Sequence, residues 1–196
     1  MNSDEQALHD TDQRLHQEAD HLLHERGVLE ILRRFGKPHI AGSYALNLMT
    51  WRDLDIYLEA PAIEVVDFLE LGRQVAAVLR PWKMSFTNHR DFPATEPLVG
   101  LYYGLRLGEL SRGAWKIDLW ALDGATCVTA LEPTQSLAAA LTPTRRTAIL
   151  RIKSDLWNHS EYRKTITSQM IYDAVIEHGA RSTTEFWRLQ TQHSSQ

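Results

Sequence analysis

From Thr11 to about Phe35, Leu15, Ala19, Leu22, Leu23, Leu29 and Leu32 recur at the spacing of one helical face. Thr11 or Asp12 can cap this run, Gly27 divides it, and Gly36 with Pro38 closes it. Residues 1–10 are polar and are expected to fray. A short apolar strand, His39-Ile40-Ala41, ends in Gly42-Ser43; a helical turn over YALNLM and a strand centred on LDIYLEA follow. Pro61 to Trp82 reads as a helix whose buried side is Ile63, Val66, Phe68, Leu69, Val75 and Leu79. Lys83 to Thr87 fits a short strand and DFPATEP a loop. LVGLYYGLRL and AWKIDLWAL are rich in β-favouring residues, and GELSRG between them has the turn chemistry of a hairpin. After Pro133 the pattern is helical: one helix begins near Pro143, one covers roughly Lys164 to His178 and ends at Gly179, and one is capped by Ser182 or Thr183. The chain therefore divides into a mixed α/β unit, residues 1–125, and a helical segment, residues 126–196.

Composition narrows the setting. A hydrophobic content of 43% over 196 residues supports a packed core. The net charge of -4 argues against a protein coated in nucleic acid, which normally carries a basic excess. Cys127 is the single cysteine, so neither an intramolecular disulfide nor a cluster of thiolate ligands can form. The polar, acidic MNSDEQALHD does not read as a secretory signal, and no apolar run approaches the roughly 20 residues that cross a bilayer. These features predict a cytoplasmic protein without membrane association.

The chemistry concentrates in AGSYALNLMTWRDLDIYLE. Asp53 and Asp55 are one residue apart in a sequence that otherwise favours a buried strand, so both carboxylates project from one face. Two neighbouring anions repel, and burying them costs several kcal/mol unless they take up protons or share a cation. A hard divalent ion with oxygen ligands, typically magnesium bridging to phosphates, resolves the conflict. The ordinary structural alternative is an exposed strand edge, or a salt bridge to Arg52. Gly42 permits close backbone approach, and Ser43 offers a hydroxyl and free N–H groups to an anion; the plain alternative for Ser43 is an N-cap. Asp118 interrupts the apolar strand Trp115–Trp120, where alternation places Lys116, Asp118 and Trp120 on one face. It is the candidate third carboxylate, and pairing with a Lys or Arg across the hairpin is the competing explanation. Asp123 and Glu109 are weaker candidates because turns account for them.

Gly42-Ser43, nine residues, then Asp53-Leu54-Asp55-Ile56 resembles the signature of the polymerase-β-type nucleotidyltransferase superfamily. The match covers residues 41–57 together with the strand around Asp118. The resemblance implies an α+β nucleotidyltransferase fold, with a small mixed β-sheet flanked by helices and a helical C-terminal segment. It also implies that Gly42 and Ser43 grip the β- and γ-phosphates and that Asp53, Asp55 and Asp118 bind two Mg2+ ions. Asp118 would help deprotonate the acceptor. The chain departs from many members in having Arg52 where they have Ser before the first Asp. The implied activity is NMP transfer from NTP, ATP included, most readily to a small hydroxylated molecule, as in the similar aminoglycoside and lincosamide nucleotidyltransferases. RNA is the less favoured acceptor. Alternatives within the superfamily are a toxin-like transferase acting on tRNA or protein and a non-catalytic antitoxin-like binding module.

Arg145, Arg146, Arg151, Lys153, Arg163 and Lys164 give residues 143–165 a basic character. By analogy with small nucleotidyltransferases, Lys153 and then Lys164 are the candidates for binding the triphosphate; a solvated helix face explains any one of them equally well. Trp51, Tyr57, Tyr102, Tyr103 and Trp120 could stack a base, although strand aromatics more often serve the core. His9, His16, His21 and His24 fit a hydrated helix face, and Cys127, read as lying in a loop, receives no role.

Overall fold

Alternation along the two central strands, at Asp53–Glu59 and Trp115–Leu122, separates a buried apolar face from a polar one, and this division organises the molecule. The structure is a computed structural model describing residues 3–93, 98–108, 113–162 and 164–193. The strands are β1 (Lys37–Ala41), β2 (Asp53–Glu59), β3 (Lys83–Asn88), β4 (Leu101–Leu107) and β5 (Trp115–Leu122). They form one sheet in the order β1-β2-β5-β4-β3. Only β2 and β5 run parallel; the other pairs are antiparallel. The sheet is thus mixed, as expected, and β4 and β5 form the anticipated antiparallel pair. The GELSRG turn falls largely outside the described residues.

Leu54, Ile56 and Leu58 of β2 and Ile117, Leu119 and Ala121 of β5 point to one side, where they are buried. They pack with the helices α1 (Ser3–Asp20), α2 (Val28–Arg33) and α4 (Val65–Leu79) into one apolar cluster. A wide π-type turn, His21–Glu25, follows α1, and Gly27, at φ 77°, makes the break before α2. The opposite face carries Asp53, Asp55, Asp118 and Lys116, all only partly exposed. The short helix α3 (Gly42–Leu46) and the helix α5 (Gly124–Ala140) pack on the β2 side of that face. A second apolar cluster joins α6 (Pro143–Leu156), α7 (Ser168–Ile176) and α8 (Thr183–His193) to Leu46 and Leu48. The C-terminal helices are therefore docked on the segment between α3 and β2. Among the described residues no helix is long and apolar enough to cross a membrane.

Several boundaries differ from expectation. The first helix begins at Ser3, so residues 3–10 are helical rather than frayed. Asp12 does not cap it: its buried carboxylate accepts from the Met49 N–H at 2.7 Å, a tertiary contact that no local pattern reports. The helix expected from Pro61 starts at Val65, where Glu64 and Asp67 form a capping box. Phe68, Val75 and Leu79 are buried as expected, with Leu71 beside them, whereas Val66 and Leu69 are 69% and 46% exposed. Helix α5 starts at Gly124, ahead of the Pro133 boundary, since Asp123 accepts from the Thr126 N–H at 2.7 Å and caps it; Pro133 lies inside.

His16 is not on a hydrated face. Its Nε2 lies 2.8 Å from the Tyr44 carbonyl, and Nδ1 lies 2.9 Å from the Asp12 carbonyl and 3.3 Å from the Asp12 carboxylate. Burial by itself disfavours the imidazolium, but the Asp12 and Tyr44 hydrogen bonds and the Asp12 charge outweigh it, raising the pKa from 6.5 to about 9. A raised pKa means stability that is complete below about 6.5 and lost as pH rises through about 9. His16→Gln should therefore lower stability more at pH 6 than at pH 10. Denaturant unfolding at both values checks this; equal losses would show that the imidazolium charge contributes nothing.

Candidate active site

The parallel β2–β5 pairing sets the site. It places Asp55 opposite Asp118 and Asp53 opposite Lys116, so four ionisable side chains share one patch. One oxygen from each of Asp53, Asp55 and Asp118 lies within 4.8 Å of the others. Lys116 Nζ is 3.2 Å from Asp53 Oδ1 and makes a short ion pair with Asp118 Oδ2. The Tyr102 hydroxyl donates to Asp118 Oδ1 at 2.8 Å.

These contacts make the acids strongly interdependent. Burial, with Asp118 close by, pushes Asp53 above the usual carboxylate range despite Lys116. Asp55 is pushed up to about 7, first by burial and then by the charge of Asp53. Lys116, although burial opposes its charge, is held above its ordinary value by Asp53 and Asp118. The patch thus holds more negative charge than one ammonium offsets. Its donors are hard carboxylate oxygens at bridging separation, which suits magnesium.

Gly42 and Ser43 face this patch. Gly42 has φ 59°, and a Cβ there would lie 2.2 Å from Asp55 Oδ2, so a larger residue is strained and must push the Asp55 carboxylate aside. Its N–H donates to Thr134 Oγ1 of α5 at 3.4 Å. Gly42→Ala should destabilise the fold by about 1 kcal/mol or more and displace Asp55. Thermal melting together with a magnesium titration tests both effects; unchanged binding in a stable variant would contradict the close approach.

Lys153 is fully buried on α6 and donates to Ser43 Oγ at 2.7 Å, the Leu48 carbonyl at 2.7 Å and the Tyr172 hydroxyl at 3.3 Å. All three partners are neutral. Burial opposes its charge, yet Tyr172, Tyr162 and the field of Asp53 hold its pKa above the ordinary lysine range. A cleft of about 210 Å³ opens between Gly42, Ser43, Asp53 and Asp55 on one wall and Thr134 and Tyr172 on the other. Lys153 stands behind Ser43 rather than lining this cleft.

The remaining candidates separate. Lys164 is exposed and does not line the cleft, and Arg163 and Glu109 lie outside the described residues. Asp123 caps α5. Arg145 and Arg146 bind backbone carbonyls, of Ala140 and Asn47 respectively. Tyr103 is in the core, stacked on Phe68 at 4.6 Å. Tyr102 and Trp120 lie on the site face with ring centroids 4.7 Å apart, and His89 stacks on Trp120 at 5.3 Å. Cys127 is in α5, not a loop, and is 1% exposed. Sequence reasoning missed Thr134, Tyr172 and the counter-ion role of Lys116. Only the last had a sequence signal, its place two residues from Asp118 on the same strand face.

No protein-family model and no curated protein matches the sequence. Solved structures do match in fold. A cytoplasmic RNA terminal U-transferase has a TM-score of 0.55 and 13% identity, over 85% of this chain and 46% of that one. The Cid1 poly(U) polymerase with MgGTP bound has a TM-score of 0.55 and 14% identity, over 84% and 50%. A chain of the GLD-2/RNP-8 complex has a TM-score of 0.51 and 10% identity, over 88% and 64%. The present chain spans about half the length of the first two.

Proposed function

We propose that this chain, which has the fold of polymerase-β-type nucleotidyltransferases, moves a nucleoside monophosphate from Mg-NTP to an acceptor hydroxyl and releases pyrophosphate. The observation that carries the reading is the convergence of Asp53, Asp55 and Asp118 within 4.8 Å, beside a glycine at φ 59° whose Cβ, if present, would press on Asp55 Oδ2. The unit 1–125 supplies the acids, and the helical segment 126–196 supplies the far wall of the cleft and Lys153.

Asp53, Asp55 and Asp118 would hold the magnesium, two ions being the number we assign. Magnesium, when bound, offsets charge on the attacking and leaving oxygens of an in-line displacement. Gly42 lets backbone approach the phosphates, and the Ser43 hydroxyl, held from behind by Lys153, donates to a phosphate oxygen. Lys116, the counter-ion of Asp53 and Asp118, would have to release them for those carboxylates to hold a metal. Asp118, with Tyr102 beside it, takes the proton from the acceptor hydroxyl as that oxygen attacks the α-phosphorus.

A small hydroxylated acceptor fits the acidic chain and the modest cleft. A base-bearing acceptor is the second reading, favoured by the Tyr102–Trp120–His89 ring stack beside Asp118. Incubating the protein with each labelled NTP and with hydroxylated small molecules, nucleotides and oligonucleotides tests both. Transfer should require magnesium, and Ser43→Ala should weaken NTP binding by on the order of 1 kcal/mol. Equal NTP affinity with and without magnesium, measured by calorimetry, would remove the basis of this assignment.

A further inference from the structure

We propose that His39, Glu59 and Cys127 form a second metal site, separate from the carboxylate patch, which takes one zinc-class divalent ion. The three residues come from three elements: the middle of β1, the end of β2 and the first turns of α5. Each offers one ligand atom, a nitrogen, an oxygen and a sulfur, and all three atoms lie within 4.8 Å of one another. The β1–β2 register sets His39 opposite Tyr57 and Lys37 opposite Glu59, making His39 and Glu59 diagonal neighbours on one sheet face. His39 Nε2 is 3.1 Å from Glu59 Oε2. The start of α5 lies against the same carboxylate, since a Cβ on Gly124 would be 3.7 Å from Glu59 Oε1.

The donor chemistry selects the ion. Imidazole, thiolate and carboxylate together suit zinc, which takes four ligands in a tetrahedron, whereas magnesium takes oxygen alone. His39 and Glu59 remain partly exposed, leaving an entry route and room for a water as fourth ligand, while Cys127 closes the inner side. Lys37 Nζ lies 3.9 Å from Glu59 but is largely exposed, so it holds the carboxylate only weakly.

The site is distinct from the carboxylate patch. Glu59 is four residues beyond Asp55, roughly 13 Å along an extended strand. A bound ion would tie the beginning of α5 to β1 and β2. Thr134, the α5 residue that accepts the Gly42 N–H, is seven residues further, roughly 10 Å up the same helix. The ion would thereby fix one wall of the cleft without touching the nucleotide.

Cobalt(II) titration of the reduced 196-residue chain tests the proposal. Cys127 is the only cysteine, so any thiolate-to-cobalt charge-transfer band reports this site alone. The expected result is such a band, saturating at one ion per chain, unchanged on dilution and removed by stoichiometric zinc. His39→Gln and Glu59→Gln should each weaken cobalt binding by about 10-fold or more. Cys127→Ser should abolish the band while melting, without metal, close to the wild type. Absence of the band in the wild type overturns the proposal, and so does a band that persists unweakened in both His39→Gln and Glu59→Gln. The two glutamine variants alter partly exposed residues, so the test stands even if Cys127→Ser fails to fold.

Discussion

Asp55→Asn should abolish nucleotide transfer, by about 10³-fold or more, while making the metal-free protein more stable than the wild type. The ion pairs in the patch join Lys116 to Asp53 and Asp118, leaving Asp55 as the carboxylate whose charge is least offset. Its pKa of about 7, against an ordinary 3.8, has a definite sign for stability. Folding favours the protonated form, so the penalty is absent below about 3.8 and grows until pH passes about 7. The gain from asparagine should follow the same window, with Tm rising by about 2–4 °C for each kcal/mol relieved in a chain of this size. Asp53→Asn should be equally inactive but closer to neutral in stability, because Lys116 then loses one of its two carboxylates. Melting curves across pH, with and without Mg-NTP, check these expectations. A fall of about 3–5 kcal/mol for Asp55→Asn without ligand would instead identify a broken structural ion pair.

Lys153→Met should leave the protein folded while lowering NTP affinity by no more than Ser43→Ala does, on the order of 1 kcal/mol, because it acts through the Ser43 hydroxyl. Methionine nearly matches the lysine stem, so the interior stays filled. Removing the ammonium relieves its burial cost but leaves the Leu48 carbonyl without its donor, a loss of about 1–3 kcal/mol. The contacts outweigh the burial cost, since they hold the Lys153 pKa above its ordinary value, so the variant should stay folded with some loss of stability. Ser43 would lose the contact that fixes its hydroxyl toward the cleft. Lys153→Ala removes the same donor and adds a cavity, so it should cost about 2–5 kcal/mol more and lose binding through the fold. Thermal melting and NTP calorimetry on both variants separate the effects. A stable Lys153→Met protein that binds NTP like the wild type would show that Lys153 serves packing alone.

The pairing of Asp53 with Asp55 was readable from sequence because strand side chains alternate with a period of two, whatever the strand packs against. Gly42 was readable for a similar reason. A glycine ending a strand ahead of a helical turn signals close backbone approach, expected there toward a ligand; in the fold the close neighbour is the Asp55 carboxylate. Asp118 stood out as an acid within an apolar strand, and its alternation with Lys116 was equally visible.

Other features depended on distance in space. That Asp118 lies opposite Asp55 follows from the β2–β5 register, which joins residues 63 positions apart. The same register brings Lys116 against Asp53, so the cation that pairs with Asp118 comes from its own strand and not from across the hairpin. Lys153 and Lys164 looked alike in a basic stretch. Only the docking of α6 beneath α3 buries one behind Ser43 and leaves the other in solvent. Asp12 and His16 read as a cap and a hydrated face, because their partners Met49 and Tyr44 lie far along the chain. Cys127 read as a loop residue because Pro133 suggested a later helix start, whereas Asp123 caps α5 in time to carry the thiol to His39 and Glu59. Periodicity and capping are local and survive without a partner; the choice among equivalent charged and polar residues is made by register and packing, which only the folded chain possesses.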